Sequence, residues 1–526
     1  MARKGWAAAM LLAGAMLWSY WPVLDNGFVW DDGANLGVAR AFWDRGVDGA
    51  VWAFTKPFSG HYQPLTWLSY QVDAQLSGAT PRGVHATNLL LHFVATALVA
   101  CLAWALAASA GADRVNRAGR RLAFALVAAA LFALHPIRVE SVAWATERRD
   151  LLSTVFVLAA LVVHLRASPA DSSPSRSRGW VALLHALAAL ARAQLTLPFV
   201  LLLLDVWPLR RLGPSGGRGG AFLRLVAEKS VSWAIAVASG LAAIWAQADA
   251  GALTAAAEHG LLDRLVQAGY GLAFYPAALI WRRAWLPLYE RPFPFDPLEP
   301  RYLLSAVLAA SLLVAIWLLR RRVAPLAIAV GGYVLLVLPV LGIAQSGIQL
   351  VADRYAYLAT VPLVLWVAAA GVMLCRTGGQ GWARVANGAL TVSLLAWLAV
   401  AAWATRQQAA VWRSDETLWR HVLAHSESSL ADNNLGYILS ARGEHGQGLF
   451  HLVRSLERVP QYGRPWRGIA ALLEAPWPPD APPADWVAST LERASTHQPG
   501  SPLVRHAAAL ARTRAGGASE PVAPVR

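Results

Sequence analysis

The chain has 526 residues, of which 56% are hydrophobic and only 15% charged. A soluble globular protein of this size is not so apolar, so that class is excluded. The net charge of +15 does not point to nucleic acid, because the arginines fall in separate loop clusters between apolar runs rather than on one basic face.

The first apolar run, residues 5–24, is long enough to cross a bilayer, and Arg3 and Lys4 before it favour a cytoplasmic amino terminus. Trp18, Tyr20, Trp21 and Pro22 stand at its end instead of a small-residue cleavage site, so it reads as a retained anchor with an aromatic belt. Asp31 and Asp32 then emerge on the far side, in Phe28-Val29-Trp30-Asp31-Asp32. Alone, this pair admits two readings: a cap on a juxtamembrane helix, or a general base at the membrane surface.

Further uncharged runs follow at 83–112, 122–137, 151–165, 230–248, 302–319, 323–352, 355–375 and 385–405, with 179–191 and 193–204 split by Arg192. Arg114, Arg117, Arg120 and Arg121 form one basic loop; Arg166, Arg176 and Arg178 a second; Arg210, Arg211, Arg218 and Arg224 a third. Arg320–Arg322 and the Arg376/Arg384 pair continue the alternation. Placing these loops in the cytoplasm predicts an all-α polytopic bundle of about 11 spans, occupying residues 1–405. The segment 265–281, bounded by Arg264, Arg282 and Arg283, reads as an interfacial helix within an external loop at 249–301. Cys101 and Cys375 lie inside apolar runs and read as small buried hydrophobes. No Cys/His cluster has metal-ligand spacing, so no metal site and no bound cofactor is expected; whether a divalent ion assists the chemistry stays open.

The external loops collect the chemistry. The first, 25–82, carries Asp31, Asp32 and Gly60-His61-Tyr62-Gln63. The next holds His135, Glu140 and Glu147-Arg148-Arg149-Asp150, and a later one Asp353-Arg354. Each group has a bland alternative: a solvated ion-paired turn for Glu147–Asp150, a span end at His135-Pro136, packing for His61. Their coincidence on one face carries the functional reading, because ionisable groups at membrane depth are costly. After Arg406 the pattern turns polar and helical. Asn434-Leu435-Gly436-Tyr437, Gly443, His451, Leu456 and Pro460 resemble one tetratricopeptide repeat inside a helical region at 406–513, with a disordered tail at 514–526.

The ordered motif series resembles a known family. It includes Phe28–Asp32, Gly60–Thr66, His85–His92, Ala130–Trp144, Glu147–Asp150, Leu197–Pro208 and Ala352–Leu358. It is similar to the transmembrane and tetratricopeptide-repeat protein O-mannosyltransferases and their bacterial relatives, within the type-C glycosyltransferase superfamily. The resemblance implies a polyprenyl-phosphate sugar donor, chemistry on the extracytoplasmic side, and an essential acid in the first external loop, matching Asp31/Asp32. Two departures stand out: Arg192-Ala193-Gln194 replaces the family's Lys-Pro pair, and the repeat array is short.

On this reading Asp31 is the favoured base, with Asp32 orienting it or sharing that role, and the sequence does not choose between the two. Arg354, Arg148 and Arg149 bind the donor phosphate, with Arg282, Arg283 and Arg192 as helpers. His61, Tyr62, His135, Glu140, Glu147, Asp150 and Asp353 line the sugar or acceptor pocket. The expected partners are the lipid-linked donor, a protein or glycan acceptor, and a protein docking on the carboxy-terminal helices; nucleic acid is not among them. The alternatives are a ligase moving a lipid-linked oligosaccharide, and a non-enzymatic scaffold or transporter with an external binding module. A bacterial inner membrane, with the active site and carboxy-terminal region outside, is the expected setting.

Overall fold

The computed structural model of the protein describes residues 2–36, 46–78, 80–109, 117–167, 174–212, 218–251, 260–280, 282–343, 347–375 and 381–516. Arg114, Arg376, Gln345, Trp281 and residues 517–526 of the expected tail lie outside them. The chain divides into two compact units. One comprises Met1–Trp285, Asp296–Gly347 and Ala352–Arg413; the other comprises Leu286–Phe295, Ile348–Val351 and Ser414–Arg526.

The first unit is helical and built for a membrane. Five helices, at Gly5–Asp25, Pro81–Ser109, Ser230–Asp249, Pro300–Leu318 and Trp382–Val411, are long and apolar enough to cross one, or up to seven if each of two bent pairs is a single span. The protein is an integral, multi-pass membrane protein. The expected count of about 11 is not reached among the described residues. The run at 193–204 folds only as Leu197–Val206, 10 residues or ~15 Å of helix against a hydrocarbon core of ~30 Å. The run at 323–352 is a 14-residue helix, Ala324–Val337, followed by a 3-10 turn and a short strand. Helix Leu261–Ile280, the expected interfacial element, is not among the five.

The two bends shape the site. Helix Ala118–Ala133 and the turn region Pro136–Ala143 meet at 62°, and Asp353–Ala359 meets Val361–Leu374 at 61°. His135 stabilises the first break: its Nδ1 accepts from the Ile137 amide at 3.1 Å, which leaves Nε2–H to donate to the Leu279 carbonyl at 3.1 Å. Arg138, fully buried, joins the two bends. Its guanidinium donates to the Ala356 and Tyr357 carbonyls at 2.6 and 2.9 Å and to the Thr360 hydroxyl at 2.8 Å, placing a cation against the carbonyls of helix Ala356–Ala359. Between the bends the chain makes short turns at Pro136–Arg138, Val139–Ala143 and Ala145–Glu147 before helix Arg148–Arg166 leads away.

The second unit holds helices Asp415–His425, Ser429–Ala441, His445–Arg458, Trp466–Glu474, Ala484–Ser495 and Pro502–Ala515. It begins at Ser414 rather than 406, because helix Trp382–Val411 runs past the change in composition and Ser414 then forms a capping box with Thr417. Gly436 lets Ser429–Ala441 and His445–Arg458 approach: a Cβ there would stand 2.8 Å from Leu452 Cγ. Leu449, Leu456, Trp466, Leu473, Leu491 and Val504 form the core. A two-stranded antiparallel ladder, Tyr289–Glu290 with Gln349–Val351, also belongs to this unit and has no counterpart in the sequence reading. The Glu290 carboxylate accepts from the Ser428 and Ser429 hydroxyls and the Leu430 amide, at the positive end of helix Ser429–Ala441.

Candidate active site

The site begins with an unusual turn. Trp30 adopts φ +59°, a left-handed conformation costing a bulky residue about 1–3 kcal/mol. Stacking holds it there: its ring lies 4.6 Å from Trp144 at 6° between planes, and Trp144 lies 5.7 Å from Trp412. The Asp32 amide donates to the Val29 carbonyl at 3.0 Å, closing the turn.

This turn gives the two aspartates different surroundings. Asp32 is wholly buried and fully engaged. Its Oδ1 accepts from the Thr146 amide at 2.8 Å and the Thr146 hydroxyl at 2.6 Å; its Oδ2 accepts from the Val29 amide at 3.0 Å. Burial pushes its carboxyl up to about 7, against the Thr146 hydrogen bond that favours the charged form. Asp31 is half-buried, and its Oδ1 has no hydrogen-bond partner among the described residues. Burial raises it too, opposed by the Arg149 and Arg354 guanidiniums and reinforced by Glu147. Asp32 therefore pins the loop to the Ala145–Glu147 turn, and Asp31 is left with an unused carboxylate oxygen facing a charged cluster.

That cluster is a chain of alternating ion pairs. Arg354 pairs with Glu140, which also accepts from the Arg354 amide at 2.8 Å. The Arg354 Nε lies 3.4 Å from Glu147, and its guanidinium stands over the Trp144 ring at 5.4 Å. Glu147 is further held by Arg149 through both carboxylate oxygens. Burial alone would raise Glu147, but Arg149 and Arg354 outweigh it and hold it near 2. Arg192 pairs with Asp150, whose other oxygen is buried without a hydrogen-bond partner among the described residues. Desolvation of its ring, helped by the charges of Arg149, Arg192 and Arg354 and opposed by Glu147, pushes His61 toward the neutral form, although part of the residue is exposed. Four separate stretches of chain thus meet at one place.

Other expected site residues lie elsewhere. Arg148 is turned inward at 0% exposure: it pairs with Asp73 at 2.5 Å and donates to Asn88 Oδ1 at 2.8 Å and the Val84 carbonyl at 2.7 Å. That placement commits its guanidinium to Asp73, Asn88 and Val84. His135 uses both ring nitrogens in the bend described above. Tyr62 donates to the Phe54 carbonyl at 3.0 Å and packs its ring near Trp245. Asp353 is buried at the start of the 3-10 turn Asp353–Tyr355. Arg282 lies over the Phe274 ring at 4.3 Å, and Arg283 is exposed. Among the described residues, no group of three or more His, Cys, Asp or Glu is arranged to hold a metal ion.

The sequence reading missed Thr146, Trp30, Arg138 and Asn35, whose amide accepts from the Ser59 hydroxyl at 2.8 Å. Arg138 sits inside a motif it had singled out; Thr146 carries no sequence signal beyond its place beside Glu147. Asp32→Asn should expose what Thr146 does. An amide cannot accept from both the Thr146 pair and the Val29 amide, so one buried donor loses its partner. A loss of about 1–3 kcal/mol follows, read as a lower melting temperature of the purified protein. An unchanged melting temperature would mean that the Asp32 bonds do not hold the loop.

No protein-family model matches the chain. Curated relatives do. It is 36% identical over 156 residues to "Protein O-mannosyl-transferase Tmtc2" of Drosophila melanogaster, covering 28% of this chain and 15% of that protein. This chain is similar to the TMTC protein O-mannosyl-transferases. It is also 31% identical over 175 residues to "Protein O-mannosyl-transferase TMTC1" of Mus musculus, covering 30% of this chain and 17% of the relative. With "Protein O-mannosyl-transferase TMTC4" of Homo sapiens it shares 37% identity over 111 residues, 20% of this chain and 15% of the relative. The matches span only a minor part of these relatives' lengths.

Proposed function

We propose that the protein is a membrane glycosyltransferase that moves a sugar, mannose by analogy with the relatives' names, from a polyprenyl-phosphate donor to an acceptor hydroxyl on the extracytoplasmic side. The observation that carries this reading is the unpartnered, buried Oδ1 of Asp31, beside Arg149 and Arg354. The acceptor O–H proton passes to Asp31 as the oxygen bonds to the anomeric carbon. The bond from that carbon to the phosphate oxygen breaks, and the polyprenyl phosphate leaves with the electron pair. One displacement inverts the anomeric configuration. Arg149 and Arg354, with Arg192 at the edge, offer the guanidinium forks that suit a leaving phosphate. Glu140 and Glu147 keep these cations in place, and Asp32 orients the base. The side chains of His61 and Asp150 border the same space.

The full-length protein, purified and mixed with polyprenyl-phosphate mannose and hydroxyl-bearing protein or glycan acceptors, should yield acceptor heavier by one hexose in mass spectrometry. Donor left intact with every acceptor would reject the reading. Transfer of a whole oligosaccharide from a lipid-linked precursor, with none from the monosaccharide donor, would replace it with a ligase.

A further inference from the structure

A second feature of the membrane unit has its charged end away from the Asp31 cluster. Helices Pro81–Ser109, Arg117–Ala133, Arg148–Arg166, Leu197–Val206, Ala324–Val337 and Val361–Leu374 line an open cavity of about 400 Å³. That volume falls in the range of small-molecule sites. Its walls are almost wholly apolar, with Leu106, Phe124, Leu203, Leu336 and Leu365 among them. Among the described residues lining it, only Arg120 and Arg121 carry charge. Both stand near the start of helix Arg117–Ala133. The Arg121 Nε is buried and has no hydrogen-bond partner among the described residues.

An apolar chamber with arginines confined to one end has the charge pattern of an amphiphile with an anionic head and a hydrocarbon tail. Arginine forks suit phosphate oxygens, and basic groups near a membrane surface attract anionic lipids. The arginines separate this lipid's head group from the donor's, although the apolar lining itself continues to Leu358 and Val361, a few residues beyond Arg354. From Arg121 to Ala133 the helix rises roughly 18 Å, and only beyond Ala133 does the chain enter the turns that carry Glu140 and Glu147. A phosphate at Arg121 therefore does not reach Asp31. We propose that the cavity binds the hydrocarbon chain of an anionic phospholipid whose phosphate is held by Arg120 and Arg121, at the membrane face opposite the Asp31 cluster.

The test uses full-length protein reconstituted in phosphatidylcholine vesicles with a minor fraction of phosphatidylglycerol, extracted in mild detergent and weighed by native mass spectrometry. Wild type should retain one phosphatidylglycerol per chain. The Arg120→Gln/Arg121→Gln variant should retain at least about tenfold less, as the loss of a charge-assisted hydrogen bond implies. Ala369→Phe, which fills the cavity from helix Val361–Leu374 and leaves both arginines, should lower retention as well. Asp31→Asn should retain lipid as wild type does, whether or not the protein transfers sugar, so this result and the transferase reading fail independently. Wild-type retention in both the arginine and the Ala369 variants overturns the proposal. So does displacement of the bound lipid by added polyprenyl phosphate, which would assign the cavity to the donor.

Discussion

Asp31→Asn is expected to lower sugar transfer by about 10²–10⁴-fold, the usual contribution of a positioned general base. The variant should melt no lower than wild type. Asp31 Oδ1 has no hydrogen-bond partner to lose among the described residues, and burial opposes the carboxylate's charge more than Arg149, Arg354 and the Asn35 side-chain hydrogen bond favour it, so a neutral amide costs little. The sign of any shift is fixed by the carboxyl's environment. Burial raises Asp31 in the folded chain, whereas an unfolded chain ionises it near 3.9. Ionising it above that pH therefore opposes folding, and an amide is spared that opposition. The same raised value sets the acid limb of the pH–rate profile. Transfer should fall as pH drops through the Asp31 value, which burial raises above that of an ordinary aspartate, because the protonated acid accepts no proton. Wild-type turnover in the variant, or a melting temperature as low as that of Asp32→Asn, would remove Asp31 from this role.

The two aspartates show where sequence reasoning stops. Apolar runs of about 20 residues with basic loops between them identify a helical membrane protein, since a helix of that length crosses the hydrocarbon and satisfies its own backbone there. The same runs do not report bends. The breaks at His135 and Thr360 are set by contacts made over long sequence distances, such as Arg138 to the Ala356 carbonyl, and these are invisible in a hydropathy pattern. The gathering of Asp31, Glu147, Arg149 and Arg354 was legible as charges at span ends on one face. Which aspartate is bound and which is available was not. That depends on the left-handed Trp30 and on Thr146, neither of which departs from ordinary composition. The short ladder of Tyr289 with Val351 escaped for a related reason: two or three residues give no measurable alternation.

Arg148 and Arg149 test the same limit, and they should behave in opposite ways. Adjacent positions at the start of a helix point about 100° apart, so one turns into the protein and the other toward the cluster. Arg148→Met should destabilise the protein by about 3–5 kcal/mol, because Asp73, itself 4% exposed, is left as an uncompensated buried charge. The Asn88 side chain and the Val84 carbonyl lose their donors as well. Adding Asp73→Leu should restore part of that loss, since removing both charges of a buried pair is far milder than removing one. Recovery will be incomplete, because Asp73 also accepts from the Thr87 hydroxyl at 2.7 Å. Arg149→Gln should fold more nearly as wild type does: Glu147 keeps Arg354 at 3.4 Å. Its effect should appear in donor use, as a rise of about tenfold or more in the KM for polyprenyl-phosphate sugar, the size expected for one charge-assisted hydrogen bond. Thermal melts and donor titrations of the three variants separate these outcomes. A stable Arg148→Met protein with weakened donor use would return Arg148 to the phosphate site. An Arg149→Gln protein with wild-type donor KM would leave Arg354 and Arg192 as the cations that face the leaving group.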